Sequence, residues 1–492
     1  MSHNFYSRCH AQFNLEKPFI LSETNQSYRY QDLETRSAAN AAWLRGQGLK
    51  TGDRVMIQVE KSPENLFWYF ACLRAGLTYL PLNTAYQPQE LSYFAADASP
   101  SLIICDPEQA PTFKKFASCP IETLDKTGQF SQSVPEQNFE DIDVNMDDVA
   151  VILYTSGTTG KPKGAMISHG NLFANATTLS SAWQWQRNDI MLHALPIFHI
   201  HGLFVATHLP VLNSSTIRFL SAFSPEAVID HLPESTVYMG VPTNYTRLLK
   251  APDFNRDTCR NMRLFTSGSA PLLKQTFAQM AEQTGHQIVE RYGMTETGMN
   301  TSNPIDGDRK PGTVGPHLPG VEARIVDEQG QDVPHDTPGD LQVRGPNVFQ
   351  GYWKMPDKTA AEFTEDGFFK TGDVASIDID GYISIVGRDK DMVISGGLNV
   401  YPKEIEAVID RVEGVLESAV IGTLDGDFGE AVTAVVVRTD PELDAQKILA
   451  ELKPLLANFK RPKHIHFMDA LPRNTMGKVQ KNLLRERFNA TL

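Results

Sequence analysis

Short apolar runs alternate with stretches of helical period along the first hundred residues of the chain. Gln31 to Arg45 has helical spacing, Arg54 to Val59 reads as a strand, and Pro63 to Ala75 as a second helix. Short strands follow around Thr78 to Leu80 and Leu102 to Cys105. This alternation predicts an α/β fold of stacked, parallel-rich sheets with helices on their faces. Asp106 to Asp148 is polar and lacks a strong period, which predicts a peripheral excursion. It leads back to Val149-Ala150-Val151-Ile152-Leu153-Tyr154, an apolar run that suits a buried strand.

The rhythm changes after a short charged connection, Gly387 to Lys390. Beyond it the pattern predicts a strand at Met392 to Ile394 and a helix at Pro402 to Arg411. A strand pair follows at Ser418 to Ile421 and Ala431 to Arg438, then a helix at Ala445 to Ala457 and a strand at His464 to Met468. The Pro402 helix is well signalled. Proline occupies its first turn, Glu404 and Glu406 suit the positive end of its dipole, and Ile405, Val408, Ile409 and Val412 form an apolar stripe. The expected organisation is a large N-terminal domain of stacked sheets, residues 1–389, and a small α+β C-terminal lid, residues 390–492. A chain of 492 residues fits two bodies, since single cores stop growing near roughly 250–300 residues.

Composition narrows the function. A net charge of −14 argues against a general binder of nucleic acid or anionic membrane, so any anionic ligand must be held by locally placed Lys and Arg. The five cysteines, Cys9, Cys72, Cys105, Cys119 and Cys259, are scattered and contain no C-x-x-C. They suit neither a disulfide framework nor a structural zinc site, and a reducing cytoplasm fits them best. The N-terminus lacks the apolar core of a secretion signal, and no run of about 18 apolar residues could span a bilayer. The start is also unlike an Arg- and Ser-rich transit peptide, although a processed mature form would read the same.

Directly after the Val149 strand comes Thr155-Ser156-Gly157-Thr158-Thr159-Gly160-Lys161-Pro162-Lys163. Glycines that let backbone N–H groups turn inward, several hydroxyls and two lysines together suit a polyphosphate. A plain surface loop is the alternative for this stretch taken alone. It is not a Walker A loop, because G-x-x-x-x-G-K-[ST] occurs nowhere in the chain.

Four further motifs follow in order: Glu290-Arg291-Tyr292-Gly293-Met294-Thr295-Glu296, Thr371-Gly372-Asp373, Gly387-Arg388-Asp389-Lys390 and Pro472-Arg473-Asn474-Thr475-Met476-Gly477-Lys478. In this order and spacing, over essentially the whole chain, the sequence resembles the acyl-adenylate-forming family. That family includes acyl-CoA synthetases, peptide-synthetase adenylation domains and firefly-type luciferases. Together with His193-Ala194-Leu195-Pro196-Ile197-Phe198-His199, the motifs are most similar to those of its malonyl-CoA synthetase branch.

The resemblance implies ATP, Mg²⁺ and CoA as reaction partners. It implies that Lys478 is the mobile adenylation lysine, that Thr295 contacts the α-phosphate, that Glu296 binds magnesium, and that His199 lies near the reacting carboxylate. By the same likeness Tyr292 stacks against adenine, Gly293 next to it belongs to the ATP site, Gly268-Ser269-Ala270 runs along the base's edge, and Asp373 and Arg388 hold the ribose. Lys390 corresponds to the hinge, and Ser395-Gly396-Gly397 to the wall of the CoA tunnel. Bland alternatives stand beside these roles: a turn acid for Asp373, a surface ion pair for Arg388, a simple turn for Gly396-Gly397.

Arg291, next to Tyr292, falls at the floor of the acyl pocket by this likeness. Adjacent strand residues point to opposite faces, so Glu290 is a poor partner for it, and a second substrate carboxylate would supply the missing charge. His201 and Arg247 are further candidates for that polar end, with a helix-surface role as the alternative for Arg247. Ile200 and Met294 are expected to flank the α-carbon. The expected activity is therefore ATP-dependent synthesis of malonyl-CoA from malonate, with release of AMP and pyrophosphate. Competing readings are a methylmalonate or short monocarboxylate substrate, an adenylation enzyme that loads a carrier protein, and a non-catalytic nucleotide-binding protein.

Overall fold

The computed structural model describes residues 2–24, 26–155, 162–388, 391–395, 398–400, 402–425, 429–456, 458–474 and 477–489. At 388, 394, 395, 398, 399, 429 and 459 it describes the backbone alone.

Two large sheets form the N-terminal body. One has seven strands, running from Gly351–Tyr352 through Lys163–Ser168, Val149–Thr155, Thr78–Pro81, Arg54–Gln58 and Leu102–Cys105 to Ile121–Thr123. The other has eight, from Gly298–Ser302 through Val289–Met294, Leu264–Ser267, Val237–Gly240, Ile190–His193, Thr216–Phe219 and Pro18–Ser22 to Ser27–Arg29. Parallel pairs dominate both centres, and antiparallel strands occur towards their ends. Continuously apolar strands such as Leu102–Cys105 are buried throughout, as parallel strands covered on both faces must be.

The helix Pro63–Arg74 shows why the layers hold. Ser62 caps it by accepting the Asn65 N–H, Pro63 pre-sets its first turn, and ten residues from Asn65 to Arg74 are all buried. A helix apolar on every side must lie between layers. Arg74, at its end, is neutralised by Asp141 at 2.6 Å, which ties the polar excursion back onto the body.

A four-stranded antiparallel sheet follows, formed by Glu322–Val326, Gly339–Arg344, Phe369–Ile377 and Ile383–Arg388. The C-terminal sheet is built around a long hairpin, Val415–Asp425 with Gly429–Arg438. Val393–Ser395 and Leu398–Val400 extend one side, and His464–Phe467 lies parallel to the hairpin's second strand. The first hairpin strand extends well beyond the expected Ser418 to Ile421, because Glu417, Gly422 and Thr423 take part in the ladder while breaking the apolar run. Conversely, the expected helix Ala445 to Ala457 stops at Leu452.

Candidate active site

The polyphosphate-like stretch joins two antiparallel strands, with Thr155 paired to Lys163 in register. It is thus the end of a hairpin, unlike the strand-to-helix turn of a P-loop. Ser156, Gly157, Thr158, Thr159, Gly160 and Lys161 lie outside the described residues. Pro162 accepts the Tyr93 hydroxyl through its carbonyl at 2.8 Å. Lys163 places its ammonium 3.7 Å from Glu362 and 4.0 Å from the centre of the Tyr352 ring.

Thr155 also faces the next motif, donating its hydroxyl to Glu296 Oε1 at 3.4 Å. The same carboxylate oxygen accepts the Tyr352 hydroxyl at 3.0 Å, and Glu296 is only 5% exposed. Thr295 is half-buried beside it. Tyr352 escaped the sequence reading, since a Gly-Tyr-Trp-Lys string carries no chemical signature and only sheet pairing with Ala165 brings it here. Among the described residues there is no group of three His, Cys, Asp or Glu side chains arranged to hold a metal ion.

Tyr292 donates its hydroxyl to Asp373 Oδ2 at 2.5 Å, joining two motifs across 81 positions of chain. Asp373 is 3% exposed, and the ladder places it directly across from Arg388. Of Arg388 and Ser395 only the backbone is described, while Lys390, Gly396 and Gly397 lie outside the described residues. Gly293 passes the neighbouring strand so closely that a Cβ on it would meet the Gly298 carbonyl at 2.1 Å.

Arg291 points away from Glu290, as the strand period requires. Glu290 instead accepts the Gly312 N–H at 3.1 Å; burial pushes its carboxyl up to about 7, against the pull of that amide, Lys403 and Lys274. The guanidinium of Arg291 lies against Gly268, where a Cβ would come within 2.3 Å of Cζ. Arg291 is 3% exposed, and its Nε and Nη2 have no hydrogen-bond partner among the described residues. Burial lowers its pKa to about 10, so it remains a cation at neutral pH.

His201 is 1% exposed, with Nε2 unpartnered and Nδ1 3.5 Å from Ser269 Oγ. Burial and then the Arg291 charge hold its pKa well below the usual imidazole value. His199 is lowered to about 4 by burial and by the charge of Lys478. Ile200 and Met294 are half-buried and pack on the same apolar core. Ala270 follows Ser269, whose backbone adopts a φ of +70°.

The segment that carries Lys478 lies against the N-terminal body at Gly477. The Lys478 N–H donates to Asn474 Oδ1 at 3.0 Å, and a Cβ on Gly477 would stand 3.1 Å from Thr243 Oγ1. Arg247 does not join the group. It is exposed on the helix Pro242–Leu248, whose buried face is made by Asn244, Tyr245 and Leu248. The helix-surface alternative is the correct one, because position 247 falls on the solvent side of that turn.

Residues 7–353 match the model for the AMP-binding enzyme family, and residues 404–478 match that for the AMP-binding enzyme C-terminal domain. A malonate–CoA ligase of Arabidopsis thaliana is 34% identical, over 93% of this chain and 81% of the relative. A feruloyl-CoA synthase of an Amycolatopsis species is 36% identical, over 93% of this chain and 94% of its own. The crystal structure of ATP-bound MatB from Rhodopseudomonas palustris superposes with a TM-score of 0.98, at 50% identity over the whole of both chains. Against apo MatB from the same organism, at the same identity and coverage, the TM-score is 0.87.

Proposed function

Since the chain belongs to the AMP-binding enzyme family, we propose that it is an ATP-dependent malonyl-CoA synthetase. The observation that carries the choice of acid is Arg291, a buried cation whose Nε and Nη2 have no partner among the described residues, with His201 nearby, whose Nε2 likewise has none among them. A pocket ending in an uncompensated charge disfavours an alkyl or aromatic chain, and a second substrate carboxylate supplies the counter-charge. The malonate–CoA ligase relative supports the same choice.

In the first half-reaction a malonate carboxylate oxygen attacks the α-phosphorus of ATP, and pyrophosphate leaves with the electrons of the broken P–O bond. Lys478 and Thr295 would stabilise charge at the α-phosphate. His199, kept neutral, packs beside the nucleophile without ion-pairing it. Tyr292, Gly293 and Gly268-Ser269-Ala270 would line the adenine site, Asp373 and Arg388 the ribose, and Thr155 to Lys163 the departing phosphates. Glu296 fits the magnesium carried by the nucleotide as a single hard-oxygen ligand, the remainder coming from phosphate and water; the ion would neutralise phosphate charge.

In the second half-reaction the CoA sulfur attacks the acyl carbon, its proton is lost, and AMP leaves with the C–O bond electrons. Because Lys478 occupies the site in the first arrangement, the lid, residues 390–492, must rotate about Lys390 to bring Ser395-Gly396-Gly397 towards the thiol. The different TM-scores against ATP-bound and apo MatB support two arrangements of the same bodies. No helix among the described residues is long and apolar enough to cross a membrane. Five free cysteines support a reducing, cytoplasmic setting.

The test is pyrophosphate release with ATP and CoA across malonate, methylmalonate, succinate, acetate, butyrate, ferulate and a long-chain fatty acid. A sharp preference for malonate is expected. Preference for a monocarboxylate would overturn the assignment of Arg291 and leave the adenylation chemistry standing. Turnover only with a carrier protein in place of CoA would overturn the synthetase reading.

A further inference from the structure

His193 opens the motif that ends in His199, yet the reaction leaves it without a role. It is fully buried at the end of the strand Ile190–His193. Its partners define its tautomer. Lys61 Nζ lies 3.1 Å from His193 Nδ1 and donates to the His193 carbonyl at 2.9 Å and to the Leu220 carbonyl at 2.6 Å. A carbonyl oxygen only accepts, so the contact of Nε2 with the Gly202 carbonyl at 2.9 Å requires the proton on Nε2 and leaves the lone pair on Nδ1, facing Lys61. The Gly202 carbonyl also accepts the Thr207 hydroxyl at 2.9 Å. Burial and the Lys61 charge keep the imidazole neutral, consistent with this assignment.

Gly202 belongs to a single π-helical turn, His201–Val205, in which the Ala206 N–H reaches back to the His201 carbonyl. Such a turn contains one residue more than the α-helix into which it could relax. Relaxation would rotate the side chains before it by about 100°, one residue's worth of helix. His201 would swing away from Ser269. Lys61 joins the strand Arg54–Gln58 of the seven-stranded sheet to the helix Pro63–Arg74, whereas His193 belongs to the eight-stranded sheet and Leu220 directly follows its strand Thr216–Phe219, so the lysine also fixes one layer against the other.

We propose that Lys61 and His193 form a positioning pair that locks the π-helical turn and thereby holds His201 at Ser269, next to the Gly268 on which the Arg291 guanidinium lies, setting selectivity for the distal carboxylate without touching substrate. This rests on the proposed use of a dicarboxylate. Neither residue lies among the groups assigned to ATP, so the pair should govern KM for the acid and leave KM for ATP alone.

The discriminating comparison is His193→Gln against His193→Asn, with Lys61→Met as the third variant. Glutamine keeps an N–H donor at about the Nε2 position, whereas asparagine is too short to reach Gly202. His193→Gln is expected to keep KM for malonate within about threefold of wild type. His193→Asn and Lys61→Met should raise it at least about tenfold, with KM for ATP changed less than about twofold, and should narrow the preference for malonate over acetate. Equal behaviour of the Gln and Asn variants, or parallel rises in both KM values, would overturn the pairing. Failure of both His193 variants to fold would also overturn it, since the pair would then serve the core as a whole. If the wild-type enzyme itself ignores malonate, the dicarboxylate reading has failed; if it uses malonate and the variants match it, only the positioning role has.

Discussion

In the proposed dicarboxylate reading, Arg291 concentrates the energetics of recognition in one side chain. Its burial is tolerated because Gly268 leaves room for the guanidinium, and its charge persists because even the lowered pKa stays near 10. Removing one partner of a buried charge pair costs about 2–5 kcal/mol. Arg291→Ala should accordingly lower kcat/KM for malonate by roughly 30- to 5,000-fold, while ATP binding in isothermal titration stays nearly constant; equal losses for malonate and acetate would make Arg291 structural. A second prediction concerns His169, 1% exposed, whose Nδ1 accepts the Phe5 N–H at 3.1 Å. Burial lowers its pKa to about 4, below the unfolded value near 6.5. The unfolded state therefore binds the proton first, so the contribution is complete above pH 6.5 and disappears as pH falls towards 4. That amounts to about 3 kcal/mol. His169→Asn, which keeps an acceptor for Phe5, should flatten the fall in denaturant-measured stability over that window; an unchanged slope would show that His169 does not carry it.

At the scale of elements, the proposed positioning role rests on the π-helical turn His201–Val205. Gly202 presses so closely on the preceding segment that a Cβ would stand 2.1 Å from the Pro196 carbonyl. A backbone carbonyl cannot swing aside as a side chain can. Gly202→Ala should therefore cost about 1–3 kcal/mol of stability and move the turn, seen as a lowered melting temperature together with a raised KM for malonate. Retention of both would mean that the turn tolerates displacement. The hairpin Val415–Asp425 with Gly429–Arg438 plays the corresponding part in the lid, where Val420, Val432, Ala434 and Val436 meet Ile405 and Ile409 of the helix Pro402–Ile409. Glu406 on that helix is held by Lys481 at 2.6 Å and by the Val420 N–H, so the helix is anchored to both the hairpin and the C-terminal segment.

For the whole molecule, the decisive contact is that of the segment carrying Lys478 with the N-terminal body at Gly477. Lys478 influences His199 electrostatically, and Gly477 lies beside Thr243. If the lysine serves only adenylation, Lys478→Ala should lose most malonate-dependent exchange between pyrophosphate and ATP, by at least about 100-fold. It should still convert supplied malonyl-adenylate and CoA to thioester near the wild-type rate. Loss of both half-reactions together would place Lys478 in the fold or in both arrangements of the lid.

Local pattern alone determined the strands at Arg54–Gln58 and Leu102–Cys105, the Pro63 and Pro402 helices and the opposite facing of Glu290 and Arg291, because each depends on neighbours a few residues away. Motif order also identified Thr155, Tyr292, Glu296, Asp373 and Lys478 as one set of candidates. Tertiary structure decided what local pattern cannot encode. It paired Tyr292 with Asp373, brought Tyr352 to Glu296 and turned Arg247 out to solvent. It also joined Lys61 to His193 across 132 positions. A lysine beside a helix cap reads as a surface charge until the fold surrounds its ammonium with acceptors from another sheet. Long-range pairing of that kind is fixed by sheet order and layer packing, which no window of adjacent residues contains.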